Sequence, residues 1–157
     1  MLKAEPFPRN HSFLMRLTTA MLVAGLAAPI ALGDHHAMTI SPDSSDLEWG
    51  PCPEFMPDGC GIAVLHGDPA KPNVDVLFKL SGHTSVPRHT HTSAERMVLI
   101  AGEMTVRYDG QEPETIEAGD YAYGPPGLAH EASCDSDEDC VLFIAFEEPV
   151  DAMLSEE

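Results

Sequence analysis

Gly82-His83-Thr84-Ser85-Val86-Pro87-Arg88-His89-Thr90-His91-Thr92-Ser93-Ala94-Glu95 leads into Arg96-Met97-Val98-Leu99-Ile100-Ala101 and stops at Gly102. In extended backbone, residues two apart point to one face, so His89 and His91 aim both imidazoles into the same space. Glu95 follows after three residues, room for a turn that brings its carboxylate back from the next strand. Further on, Gly119-Asp120-Tyr121-Ala122-Tyr123-Gly124-Pro125-Pro126-Gly127-Leu128-Ala129-His130 places a third histidine just past a Pro/Gly turn. Three imidazoles and a carboxylate form a mixed nitrogen and oxygen donor set, suited to Fe, Mn, Zn, Cu or Ni.

Around these stretches the chain shows no convincing helical periodicity after Asp34. It has short runs rich in Val, Ile, Leu, Phe and Tyr, cut by Gly, Pro and Asp, as an all-β domain requires. Strands are expected at Ile62–His66, Val74–Leu80, Arg96–Ala101, Met104–Tyr108, Thr115–Glu117, Tyr121–Tyr123, His130–Cys134 and Val141–Phe146. Asp109-Gly110 after Tyr108 signals a two-residue hairpin turn. So many short strands in one stretch suggest a closed barrel or jelly roll.

Four segments divide the 157 residues. Residues 1–33 carry Lys3, Arg9 and Arg16, then an apolar run from Leu17 to Leu32 ending in Ala31-Leu32-Gly33, the pattern of a secretory signal peptide. That run is shorter than a membrane-spanning helix needs, so no membrane association is expected after cleavage. Met15, directly before Arg16, offers an alternative start. Residues 34–60 read as an extended arm, 61–148 as the folded domain and 149–157 as an acidic tail. Cleavage after Gly33 would expose Asp34-His35-His36, whose amine, amides and imidazole suit square-planar Cu(II) or Ni(II).

Charge and cysteines narrow the class further. With 26 acidic against 8 basic side chains the formal charge is −18, which repels phosphate backbones and excludes nucleic acid as a partner. At 43% hydrophobic the chain is not a disordered acidic tail. All four cysteines lie beyond the leader, as suits a periplasmic or secreted protein. Cys52 and Cys60 are paired here as a local clip, and Cys134 and Cys140 bracket the acidic loop Asp135–Asp139, with other pairings left open. No spacing is the Cys-x-x-Cys of a zinc site.

Taken together, the two histidine stretches resemble the cupin superfamily. His89, His91, Glu95 and Gly102 match its first motif, G(x)5HxH(x)3,4E(x)6G, although Gly82 sits one residue too far upstream. Gly119, Pro125, Gly127 and His130 match the second, G(x)5PxG(x)2H(x)3N, with Cys134 where asparagine usually stands. The resemblance implies a double-stranded β-helix holding one divalent transition metal on His89, His91, Glu95 and His130. It also implies a homodimer formed through outer strands.

Around the metal, Met97, Leu99 and Ala101 share the face of Glu95 and should line an apolar pocket. Tyr121 and Tyr123 share a face, and Tyr123 is assigned as an acid or hydrogen-bond donor, with core filling as the alternative. Glu95 either stays a ligand or swings free as a base. Arg88 and Arg96 alternate away from the ligands and should serve salt bridges; His66 and His83 read as surface histidines. The function expected is an exported metal-dependent enzyme, oxidoreductase or dioxygenase-like, acting on a small organic molecule. The alternative is a non-catalytic exported binding protein for a metal or small ligand, because fold likeness does not choose among chemistries.

Overall fold

Strand patterning decides which residues face inward in the computed structural model, which describes residues 36–156. The chain divides into Met1–Ala37 and Met38–Glu157, and the second unit carries every described strand. The signal peptide expected at 1–33, and Asp34 and His35 of the amino-terminal copper or nickel site, lie outside the described residues.

The second unit is all-β. Its strands are β1 (Trp49–Pro51), β2 (Gly61–His66), β3 (Val74–Leu80), β4 (Ser85–Thr90), β5 (Glu95–Ala101), β6 (Glu103–Tyr108), β7 (Glu114–Glu117), β8 (Tyr121–Gly124), β9 (His130–Cys134), β10 (Cys140–Phe146) and β11 (Met153–Leu154). They form two antiparallel sheets, ordered β1-β2-β3-β10-β5-β8 and β11-β4-β9-β6-β7. Together these make the double-stranded β-helix that the motifs imply.

β10 shows how the sequence builds the core. Its residues alternate, so Cys140, Leu142, Ile144 and Phe146 are buried while Val141, Phe143 and Ala145 are less so. This strand pairs with both β3 and β5, which leaves it no open edge. Val74, Val76, Leu99, Val86 and Met104 join the same buried cluster from both sheets. Each such side chain contributes roughly 1.5–3 kcal/mol when removed from water. The outer faces carry the ion pairs expected in so acidic a chain. Arg88 binds Asp109, Arg96 binds Glu147, and Arg107 meets Glu131 at 2.6 Å from the neighbouring strand. His83 meets Asp137 on the surface at 2.8 Å.

Several sequence expectations change. β4 was not among the expected strands, because Ser85-Val86-Pro87-Arg88-His89-Thr90 alternates little and contains Pro87. The strand forms all the same, and its register against β9 shifts between Val86 and His89. Such an irregularity lets a proline, which has no N–H to give, sit inside a strand. The Asp109-Gly110 turn exists, with the Gln111 N–H donating to the Tyr108 carbonyl at 3.0 Å. The hairpin it opens is wider than two residues, since Val106 is the last β6 residue paired with β7, opposite Glu114. Pro113 cannot donate to the ladder, and Arg107 and Tyr108 pair instead with Glu131 and His130 of β9.

The two ends of the unit are more ordered than their composition suggests. In the arm at 34–60, β1 pairs with β2, and Lys79 lies 4.5 Å from the centre of the Trp49 ring. In the acidic stretch 149–157, β11 pairs with β4, Leu154 opposite His89. Ser155 and the Glu156 carbonyl each accept a 2.7 Å bond from Arg88, so one cation offsets the tail's negative charge.

The disulfides are Cys52–Cys60 and Cys134–Cys140. The second links the end of β9 to the start of β10 and so ties one sheet to the other. It lies at the opposite end of these strands from His130 and Phe146.

Candidate metal centre

Register assembles the site from two cross-strand rows. On one sheet, Tyr108, His130, His89 and Leu154 stand opposite one another across β6, β9, β4 and β11. On the other, Gly124, Glu95 and Phe146 do so across β8, β5 and β10. Directly opposed residues share a face, and here both faces look into the barrel, save for Leu154 on the edge strand, which is exposed. His91 lies just past the end of β4, in the turn before β5.

All four sequence-predicted ligands meet there. His89, His91 and His130 are buried, and their available ring nitrogens lie within 4.8 Å of one another. Glu95, 4% exposed, reaches between two of them, with Oε1 3.4 Å from His91 Nε2 and Oε2 3.6 Å from His130 Nε2.

Backbone carbonyls orient the rings. His89 Nδ1 lies 2.7 Å from the Pro87 carbonyl, His130 Nδ1 lies 3.2 Å from that of Leu128, and His91 Nδ1 bonds that of Asp151. A carbonyl only accepts, so in each neutral ring Nδ1 carries the proton and Nε2 turns a lone pair toward the centre. Burial, aided by neighbouring imidazoles, lowers the pKa of His89 to about 4 and that of His130 to about 3. Burial also raises the pKa of Glu95, against the pull of His91. Such a donor set suits a divalent ion: neutral nitrogens ready to bind, and one carboxylate that lacks a compensating charge of its own.

The loop 92–94 that carries the chain from His91 to Glu95 is pinned by buried Ser93. Its hydroxyl accepts the Glu147 and Glu148 N–H groups at 2.8 and 3.0 Å and donates to the Ala94 carbonyl at 2.7 Å. The Thr92 N–H donates to the Asp151 carboxylate at 2.8 Å.

Below the ligands lies a cavity of about 410 Å³, bounded by Met97, Met104, Leu142, Ile144 and Phe146 among others, with Pro51, Cys52, Pro53 and Met56 at its border. Met97 lines it as expected, whereas Leu99 is packed in the core with no exposure. Tyr123, assigned above as an acid or hydrogen-bond donor, stands with Tyr121 on the outward face of β8. Tyr121 and Tyr123 are 61% and 51% exposed, because Ala122 and Gly124 between and beside them take the inward face of β8. The tyrosine inside is Tyr108, which sequence reasoning passed over. Its ring centre is 4.9 Å from that of His130, and its hydroxyl is buried without a hydrogen-bond partner. Burial and the nearby Glu95 raise its pKa, so it stays a protonated donor. The signal was present, since Met104, Val106 and Tyr108 alternate along β6 and all three line the cavity.

A family model described as the ChrR cupin-like domain matches residues 37–149. Among solved structures, the polyketide cyclase RemF from Streptomyces resistomycificus is similar at TM-score 0.62 and 20% identity, over 76% of this chain and 87% of that one. An RmlC-like cupin from Shewanella frigidimarina is similar at TM-score 0.55 and 21% identity, over 67% and 86%. The DMSP lyase DddQ from Ruegeria pomeroyi is similar at TM-score 0.61 and 16% identity, over 69% of this chain; the chain spans 61% of the lyase's length. At these identities the likeness establishes the fold alone. No relative was found among curated proteins.

Proposed function

This chain belongs to the ChrR cupin-like family, and from that premise we propose an exported metalloenzyme that binds one divalent transition metal through His89, His91, Glu95 and His130 and acts on a small organic molecule. The observation that carries the reading is a cluster of three carbonyl-anchored imidazoles with one buried carboxylate reaching two of them. Such a metal supplies a Lewis acid for substrate oxygen atoms and, as Fe or Mn, access to redox chemistry of the oxygen-using kind.

The chain's own residues divide the remaining work. His89 and His130, neutral from burial, offer lone pairs without first losing a proton. Glu95 contributes the negative charge, and its raised pKa makes protons and metal rivals for the same oxygens. The apolar wall excludes water from the substrate. The two disulfides support an oxidising compartment, periplasmic or extracellular.

Elemental analysis of protein recovered from the exported fraction tests this, with a His89→Ala/His130→Ala double variant alongside. Near-stoichiometric metal in the wild type and none in the variant is expected, with turnover of a small-molecule panel lost in His91→Ala. Metal absent from both proteins after reconstitution refutes the reading. Metal without turnover of any substrate favours a non-catalytic binding protein.

A further inference from the structure

The walls of the cavity limit what can enter it. Among the described residues that line it, polar side chains come only from His89, His91, His130, Glu95, Tyr108 and Asp151; none is Ser, Thr, Asn, Gln, Lys or Arg. The first four are the candidate ligands. The rest of the lining is aliphatic, thioether or aromatic, with Pro and Cys52. Hydroxyls or charges spread over a ligand would lose water there and find no partner, each weakening binding by ~10-fold or more. A second anionic group would find no cationic side chain.

Against this background Tyr108 stands out. Its Oη is buried and has no partner in the protein. A Cβ built on Gly124 would come within 2.8 Å of this Oη and 3.0 Å of Glu95 Oε2, so the hydroxyl and the carboxylate flank one point beside the ligands. Buried hydroxyls left without partners are rare and costly, and a bound ligand is one way in which they are satisfied.

We propose that the cavity takes a largely apolar small molecule bearing a single oxygen head group, such as a phenol, enol or ketone, whose oxygen lies at the ligand cluster and accepts a hydrogen bond from Tyr108. Sugars, dicarboxylates and zwitterions are excluded as substrates. The assignment rests on the metal reading for what holds the head group, whereas the selection for an apolar body rests on the walls alone. Tyr108 acts as a donor to the ligand and needs no change of charge.

The test uses the full chain, both zinc-loaded and EDTA-treated, titrated with 2-naphthol, naphthalene, oxalate and glucose while naphthyl fluorescence and heat are followed. For the loaded wild type, 2-naphthol should bind, naphthalene more weakly, and oxalate and glucose not measurably. Tyr108→Phe, which keeps the ring, should weaken 2-naphthol ~10-fold and leave naphthalene within ~2-fold, at unchanged zinc stoichiometry. A merely structural tyrosine would affect both naphthyl probes alike, and that result overturns its role. Ala122→Leu, which crowds the cavity wall, should abolish binding of both probes without loss of zinc. Undiminished binding in that variant places the ligand elsewhere and refutes the proposal. Zinc bound by a protein that ignores 2-naphthol, or prefers oxalate or glucose, refutes the ligand class while the metal reading stands. Binding of 2-naphthol by a protein that takes up no zinc supports the apolar class and refutes the metal reading.

Discussion

Acid should destabilise the metal-free protein through its buried imidazoles, and His130 gives the effect a size. Burial first, then His89, holds its pKa at about 3 against an ordinary value of 6.5. The unfolded chain therefore takes up a proton below about 6.5 that the folded barrel refuses until far lower. Stability rises with pH wherever the unfolded state binds more protons. The contribution is thus fully present above the unfolded value and is lost as pH falls toward the folded one. Each pH unit inside that window is worth a little over 1 kcal/mol, so His130 alone costs about 2–3 kcal/mol between about pH 7.5 and about pH 4.5. Glu95 works in the opposite direction, because its raised pKa lets the folded state take up a proton first. Comparison of wild type with His130→Gln largely removes that opposing effect. Urea unfolding in EDTA across this range should show wild-type stability falling about 2–3 kcal/mol further than the variant's. Parallel curves for the two proteins would show that His130 is not held neutral by its surroundings, and the reasoning would fail.

Four further outcomes rest on the packing and the backbone. Ser93→Ala strands the Glu147 and Glu148 N–H groups and should cost about 1–3 kcal/mol in urea unfolding; an unchanged midpoint would refute the pinning role. Gly124→Ala drives a methyl against Tyr108 and Glu95 and should weaken zinc binding by roughly 10–100-fold in a chelator competition. Gly110→Ala, at φ +74 with nothing within 4 Å, should cost about 1 kcal/mol and leave zinc affinity alone; equal metal affinity in both variants would contradict the crowding argument. Cys134→Ser/Cys140→Ser removes a short covalent loop between the sheets and should lower stability by about 2 kcal/mol on the chain-entropy model. Its zinc stoichiometry should hold, since the bridge lies at the other end of β9 from His130.

The grouping of His89, His91, Glu95 and His130 was legible because strand geometry and motif spacing act over short distances. His89 and His91 share a face by alternation alone, and Glu95 and His130 fall where the two motifs put them. The strands with strong alternation, β3, β5 and β10, were found within a residue of their ends. β4 was missed because its six residues include Pro87 and little apolar patterning, and it owes its strand form to pairing with β9 and β11. β11 was missed for a related reason: two residues carry no periodicity, and only their contact with Thr90 and His89 makes them a strand. Tyr123 lies beside the second motif in sequence, whereas Tyr108 reaches the cavity through the alternation of β6. Which face of β8 looks inward depends on its register with β5, where Glu95 stands opposite Gly124. Long-range pairing of that kind is not written in any local pattern.

The partners that orient the three imidazoles are the main-chain oxygens of Pro87, Leu128 and Asp151. No side-chain substitution deletes a carbonyl, so a saturation mutagenesis scan would find His89, His91 and His130 and remain blind to what aims them. Divergent relatives can likewise exchange the residues at 87, 128 and 151 and keep the same orientation, provided the chain keeps its path. In such a protein the inheritance of function is partly an inheritance of backbone shape, and a comparison of residue identities alone will underestimate how many descendants retain the site.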